Sequence, residues 1–370
     1  MRKNGLIAGL FGVLSIFIAF SLSAKEDSGH EAQHAQEAHA DDHHGESGDY
    51  NPVPEIMHHI ADSYEWHVWG DIHLPLPIIA YNNGSLDVFM SSKLSHGHTY
   101  KGYSLDHGHL VYHDEEGHEK HAATLFGLIQ HPEEQFIDLS ITRNVASMIL
   151  SIVLILLLFG STARAYSKEG VPKGIAKFME PLVLFVRDDI AVPNIGEKKA
   201  HRFMGYLLTV FFFIWINNMI GLVPFFPGAS NLSGNIAFTA VLAIFTLIIT
   251  NVSGTKDYWS HIFLPHVPKW MYPIMWPVEI IGIFTKPFAL LLRLFANITA
   301  GHILILSLVS LIFILESAAV SLVSVPFMIF MFTLELLVAA LQAYIFTLLS
   351  ALFIGMAVEE HHDHVAEEVH

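Results

Sequence analysis

Between Pro277 and Ala357, an arginine, a histidine, a glutamate and a glutamine (Arg293, His302, Glu335 and Gln342) stand inside two long apolar segments. Such groups are costly in lipid, and those that persist are more often functional, serving ion or proton pathways. Glu335 lies between the apolar runs Pro326–Leu334 and Leu336–Leu341, so it must be protonated, paired or in water. Arg293 has two readings. It is either a working cation within the membrane or, with Phe288 taken as the first lipid-facing residue, a side chain snorkelling from a helix end.

Helical spacing orders these residues. Glu279, Lys286 and Arg293 recur every two turns and Asn297 follows one turn later, which makes a polar stripe. His302 falls roughly opposite Arg293, about 13 to 14 Å further along the axis. On the second segment Glu335 and Gln342 are two turns apart, on one face. The first segment, Val278 to Leu315, would be about 57 Å long as one helix, or about 42 Å if Pro287 breaks it, against a hydrocarbon core of about 30 Å. The second, Ser321 to Val358, is overlong in the same way. Both are expected to tilt steeply as a hairpin, unless each breaks in its middle.

The run Lys286-Pro287, then Arg293-Leu294-Phe295-Ala296-Asn297-Ile298-Thr299-Ala300-Gly301-His302, then Glu335 and Leu341-Gln342-Ala343-Tyr344-Ile345-Phe346, resembles subunit a of the membrane sector of F-type ATP synthases. The resemblance extends from about Phe136 to His361. It implies that the arginine matching Arg293 faces the essential carboxylate of a rotating c-ring, with protons reaching that carboxylate through two offset half-channels. It also implies that His302, Glu335, Asn297 and Gln342 serve the outer half-channel or its junction with the rotor, and that Glu279 and, more weakly, Lys286 serve the inner one. Many bacterial members of that family carry glutamate at the position of His302 and histidine at that of Glu335. The exchange suggests that the two side chains meet.

The rest of the chain fits an integral membrane protein with an exported part. It has 370 residues, 52% of them hydrophobic, no cysteine and a net charge of -16. The absence of cysteine excludes disulfides and thiolate metal sites, and the acidic balance disfavours nucleic acid. Residues 1–24 read as a secretory signal: Arg2 and Lys3, an apolar run, then Ser21-Leu22-Ser23-Ala24, with an uncleaved anchor as the alternative. Residues 25–50, rich in His and acidic side chains with almost nothing apolar, form a disordered linker. Residues 51–131 form a small exported His-rich domain, with Trp66, Trp69 and Phe89 as core candidates. A hairpin is expected around Asn82-Asn83-Gly84-Ser85 and a second turn near His107-Gly108-His109. Its histidines read as a solvated, pH-buffering surface, since no spacing matches a defined metal site.

Residues 132–361 form the membrane domain, and 362–370 a solvated tail. Five membrane helices are expected in the mature chain: Ile141–Phe159, Phe203–Leu222, Ile236–Val252 and the two arms of the hairpin, making the fold class all-α. The loop from Arg164 to Arg202 is basic and should be cytoplasmic, with Met179–Val186 an interfacial helix, and the uncharged Pro224–Asn235 loop belongs outside. The N-terminal domain then lies outside, in the periplasm of a bacterial inner-membrane protein, and the C-terminus is cytoplasmic. Asn217 and Asn218 inside the second span either bond a neighbouring helix or line a water channel.

With the resemblance, these features lead to the stationary proton-channel subunit of a rotary ATP synthase. Its implied partners are a c-ring, the peripheral stalk b subunits, the remainder of the F1Fo complex and the lipid bilayer. No phosphate-cradling glycine motif is present, so nucleotide chemistry should reside in other subunits and no cofactor is implied. The exported domain is expected to be dispensable for proton flow. The rival reading is a zinc transporter with a His-rich capture domain, for which the spans offer only His302 and Glu335 as a ligand pair.

Overall fold

A computed structural model of the chain describes residues 61–359 apart from 70–71, 83, 107, 115–117, 123–134, 170–173, 224–225, 229, 264–267, 269–270 and 316–317. The expected signal, linker and tail lie outside the described residues.

The N-terminal part is a small β domain. A two-stranded hairpin, β1 (Glu65–Trp69) and β2 (Ile72–Pro75), precedes a six-stranded sheet. That sheet is built from β3 (Pro77–Asn82), β4 (Ser85–Met90), β5 (Tyr103–Asp106), β6 (His109–His113), β7 (Glu119–Ala122) and β8 (Gln135–Asp138), in the order β4-β3-β8-β7-β6-β5. Alternation sets its inner face. Ile78, Ala80 and Asn82 of β3 are buried while Tyr81 points out, as a period of two requires. Both expected turns close hairpins, between Asn82 and Ser85 and between Asp106 and His109, with Gly84 and Gly108 at φ 84° where a side chain would be strained. Trp66 and Phe89 are buried as expected; the side chain of Trp69 lies outside the described residues.

One boundary needs correction. The sequence places the end of this domain at residue 131, yet β8 pairs with β3 and β7 and its Phe136 is buried in the same core as Phe89 and Tyr103. A four-residue strand directly before a span has too little alternation to stand out, so the boundary is better drawn after Asp138.

The remainder is helical: α1 (Arg143–Glu169), α2 (Ile175–Phe185), α3 (Val192–Ile195), α4 (Glu197–Leu222), α5 (Ile236–Ser253), α6 (Lys256–Phe263), α7 (Tyr272–Leu315) and α8 (Ala318–Val358). Of these α1, α4, α5, α7 and α8 are long and apolar enough to cross a membrane, the five spans expected. The expected interfacial helix lies within α2, which runs through a π-helical turn at Val186–Ala191 into α3.

α4 is the centre of the bundle. Its most apolar stretch is 67% buried, against 11% and 17% for α7 and α8, so the hairpin turns most of its surface outward. Pro287 does not break α7, nor Pro326 α8. Pro287 is buried in line with Leu290, Leu294 and Ile298, and packing along that stripe holds both sides of the proline in one helix despite the lost hydrogen bond. At 44 and 41 residues the two arms measure about 66 and 62 Å, twice the hydrocarbon thickness, which requires steep tilt.

Candidate functional site

The arms of the hairpin meet along α7 residues Leu290, Leu294 and Ile298 and α8 residues Glu335, Ala339, Gln342, Ala343 and Phe346, buried positions three or four apart on each helix. Two polar contacts cross this seam. Asn297 Nδ2 donates to Gln342 Oε1 at 2.9 Å, and His302 Nδ1 lies 3.1 Å from Glu335 Oε1. Moving five residues up α7 while moving seven down α8 is the register of an antiparallel pair.

Glu335 is only 6% exposed, and the imidazole beside it is its compensation. The contact is at ion-pair distance but out of line for a hydrogen bond, and among the described residues neither carboxylate oxygen has another hydrogen-bond partner. Close approach depends on Gly301: a Cβ there would stand 2.9 Å from Glu335 Oε1.

Beside the pair is a small cavity of about 10 Å3, room for about one water molecule, walled in part by α4 and the loop that follows it. Asn218 makes the interhelical bond considered for it. Its Nδ2 donates to the Ala339 carbonyl of α8 at 3.3 Å and its Oδ1 accepts from Ser233 Oγ at 2.6 Å, while the residue also lines the cavity. Asn217 donates to Phe213 of its own helix, which leaves its buried Oδ1 without a partner among the described residues.

The other candidates stand apart. Arg293 is exposed, one turn before Asn297 on the same stripe of α7, and has no partner among the described residues. Lys286 is half-buried with Nζ 5.8 Å above the Phe353 ring, and Glu279 lies 3.9 Å from His261 Nδ1 of α6. Since 23 residues of helix separate Glu279 from His302, about 34 Å, Glu279 and the His302–Glu335 pair belong to opposite halves of α7. Among the described residues no three His, Asp or Glu side chains gather as a metal site; in the β domain the His67 and His73 rings stand 5.1 Å apart and His113 Nδ1 lies 3.9 Å from Glu119 Oε1.

Sequence reasoning missed Ser230, Asn231 and Ser233, which line the cavity, and Gly221, where a Cβ would strike the Ser230 carbonyl at 2.8 Å. The polar run Ser230-Asn231-Leu232-Ser233-Gly234-Asn235 was the available signal. It reads as an ordinary turn, yet Ser230, Asn231 and Ser233 are all buried.

Comparison with known proteins covers both parts of the chain. Residues 145–355 match the family described as ATP synthase A chain, and residues 55–139 match a domain of unknown function. The chain is 45% identical over 269 residues to ATP synthase subunit a of Chloroherpeton thalassium, covering 70% of this chain and 79% of that protein. It is 47% identical over 233 residues to ATP synthase subunit a of Myxococcus xanthus, covering 62% and 76%. With ATP synthase subunit a 2 of Prosthecochloris aestuarii it shares 37% identity over 382 aligned positions, spanning 100% of this chain and 98% of that protein, N-terminal part included.

Proposed function

The chain belongs to the ATP synthase A chain family, and on that premise we propose how its hairpin moves protons. It is the proton-channel subunit of a rotary F-type ATP synthase, a multi-pass membrane protein that couples proton flow to ATP synthesis. By family it is a non-catalytic subunit of the membrane sector, and nucleotide chemistry falls to the other subunits. The comparisons offer nothing for a zinc transporter.

One observation carries the mechanism. Arg293 is a guanidinium on the exposed face of an apolar hairpin, without a partner among the described residues. A cation that cannot lose its proton is costly there unless an anion is supplied from outside the chain, and a carboxylate on the rotating c-ring supplies it. At about 4 Å and an effective dielectric near 20, the attraction is about 4 kcal/mol before desolvation. Arg293 therefore favours the ionised carboxylate, promotes proton release from the rotor and bars a direct leak between the half-channels.

His302 and Glu335, with Asn297 and Gln342 beside them, form the outer half-channel and its junction with the rotor. Glu279, and Lys286 behind it, serve the inner half-channel at the opposite end of α7. The loop between α1 and α4, with Lys177, Arg187, Lys198 and Lys199, faces the cytoplasm, so the β domain stands outside a bacterial inner membrane. The peripheral stalk b subunits hold this chain stationary against the ring.

Copurification tests the reading. The tagged chain, extracted in mild detergent, should bring down a small, very apolar ring protein and an ATP-hydrolysing head. Recovery of the folded chain without either would contradict it.

A further inference from the structure

The β domain does not hang free of the membrane helices. Trp66 of β1 is 5% exposed although it stands on a two-stranded hairpin, and what covers it comes from the loop after α4. Its indole Nε1–H donates to the Gly228 carbonyl at 3.0 Å, and its ring meets Phe226 edge-on with centroids 5.1 Å apart. Immediately before β1, the backbone N–H of Asn144 donates to Asp62 Oδ1 at 3.1 Å, and Arg143 donates from its backbone N–H to Ser63 O at 2.8 Å and from Nη2 to Ala61 O at 2.6 Å. Asn144 then accepts from Ser230 Oγ at 2.8 Å. Residues 61–66 thus grip the first turn of α1 and the loop after α4 together.

That same loop is the wall of the cavity beside His302 and Glu335. Ser230, Asn231 and Ser233 line it, and the Ser230 carbonyl rests on Gly221 of α4, a contact any side chain at 221 would prevent. Asn231 and Asn217 line it, and among the described residues Asn231 Nδ2 and Asn217 Oδ1 are buried without partners, a donor and an acceptor left for whatever hydrogen-bonds there. Proton transfer needs donors and acceptors within about 2.6 to 3.2 Å, and misplacement by about 1 Å costs orders of magnitude in rate. The position of this loop is therefore a variable of proton transfer, and Trp66 holds it from the far side.

We propose that Trp66 is a positioning residue for proton transfer: by clamping Gly228 it fixes the loop that walls the His302–Glu335 cavity, so the exported domain sets the conductance of the outer half-channel. The proposal rests on the reading that this pair serves the outer half-channel, and it replaces the expectation that the domain is dispensable for flow.

The test uses the whole ATP synthase in liposomes, driven by an imposed proton gradient, with the synthesis rate per assembled complex followed against the pH of the outer-face compartment. Trp66→Phe keeps the ring against Phe226 but loses the N–H, and it should lower the rate roughly two- to ten-fold, the range one hydrogen bond commands. It should also shift the outer-pH midpoint; Trp66→Ala should exceed it in both respects. A purely structural tryptophan would reduce the yield of complex and leave the rate per complex and the midpoint alone. That result, with Glu335→Gln inactive in parallel, overturns the proposal. Glu335→Gln at wild-type rate would instead overturn the half-channel assignment beneath it, and the proposal would fall with that assignment. Should Trp66→Ala not assemble, Trp66→Phe decides.

Discussion

His302 Nδ1 and Glu335 Oε1 stand 3.1 Å apart, one on each arm of the hairpin, where the chain buries a carboxyl and compensates it with an imidazole. Identity at the two positions should therefore be exchangeable only as a pair. His302→Glu alone sets two carboxyls together and leaves the buried Glu335 without its compensating imidazole. Glu335→His alone sets two imidazoles together. Each single variant should lower ATP-driven proton pumping at least about tenfold, equivalent to about 1.4 kcal/mol. The double exchange should recover much of that, with a coupling energy within the roughly 0.5 to 3 kcal/mol seen for residues in contact. A double variant no better than the worse single, at equal assembly, would mean that the contact does no work in transport.

Gly301 makes the contact possible, and Gly301→Ala separates function from stability. The added methyl would meet the end of a flexible carboxylate side chain rather than backbone, so it displaces Glu335 from His302 while alanine favours the helix by about 1 kcal/mol. Pumping should fall several-fold in a complex that unfolds no sooner on heating. Loss of assembly in place of loss of pumping would contradict the geometry.

The sequence carried most of this architecture for identifiable reasons. Spans announce themselves because lipid enforces long apolar runs, so all five were legible, and the exchanged histidine and glutamate pointed to a contact 33 residues apart in the chain. The span ends were less legible. α1 begins at the buried Arg143, held by the Ser63 and Ala61 carbonyls, and α4 begins six residues before its apolar run, with the polar turn Glu197–Lys199, so neither start follows hydropathy. Pro287 read as a possible break, since the packing that carries α7 through it is a tertiary fact. Trp66 read as core, but its partner Gly228 lies 162 residues away, and no local pattern could supply it.

Orientation is tested by labelling, and the chain has no cysteine to give background. The loop serine Ser230 looks from sequence like a natural reporter, but it is 1% exposed and bonded to Asn144. Leu86 of β4, 60% exposed, is the better outer site, and the exposed Lys198 at the start of α4 the inner one. Leu86→Cys should react with an impermeant maleimide in cells whose inner membrane is intact, and Lys198→Cys only after that membrane is permeabilised. The reverse pattern would invert both half-channels.

Arg293 bears the central claim, because its charge has no counterpart among the described residues and the account assigns one on the rotor. The decisive measurement is ATP-driven proton pumping by inverted membrane vesicles carrying Arg293→Lys, with the amount of assembled complex and its ATP hydrolysis measured in parallel. Lysine keeps a positive charge but lacks the planar fork and loses its proton when desolvated. The account predicts that pumping is lost while the complex and its hydrolysing head remain; wild-type pumping by an intact Arg293→Lys complex would contradict it.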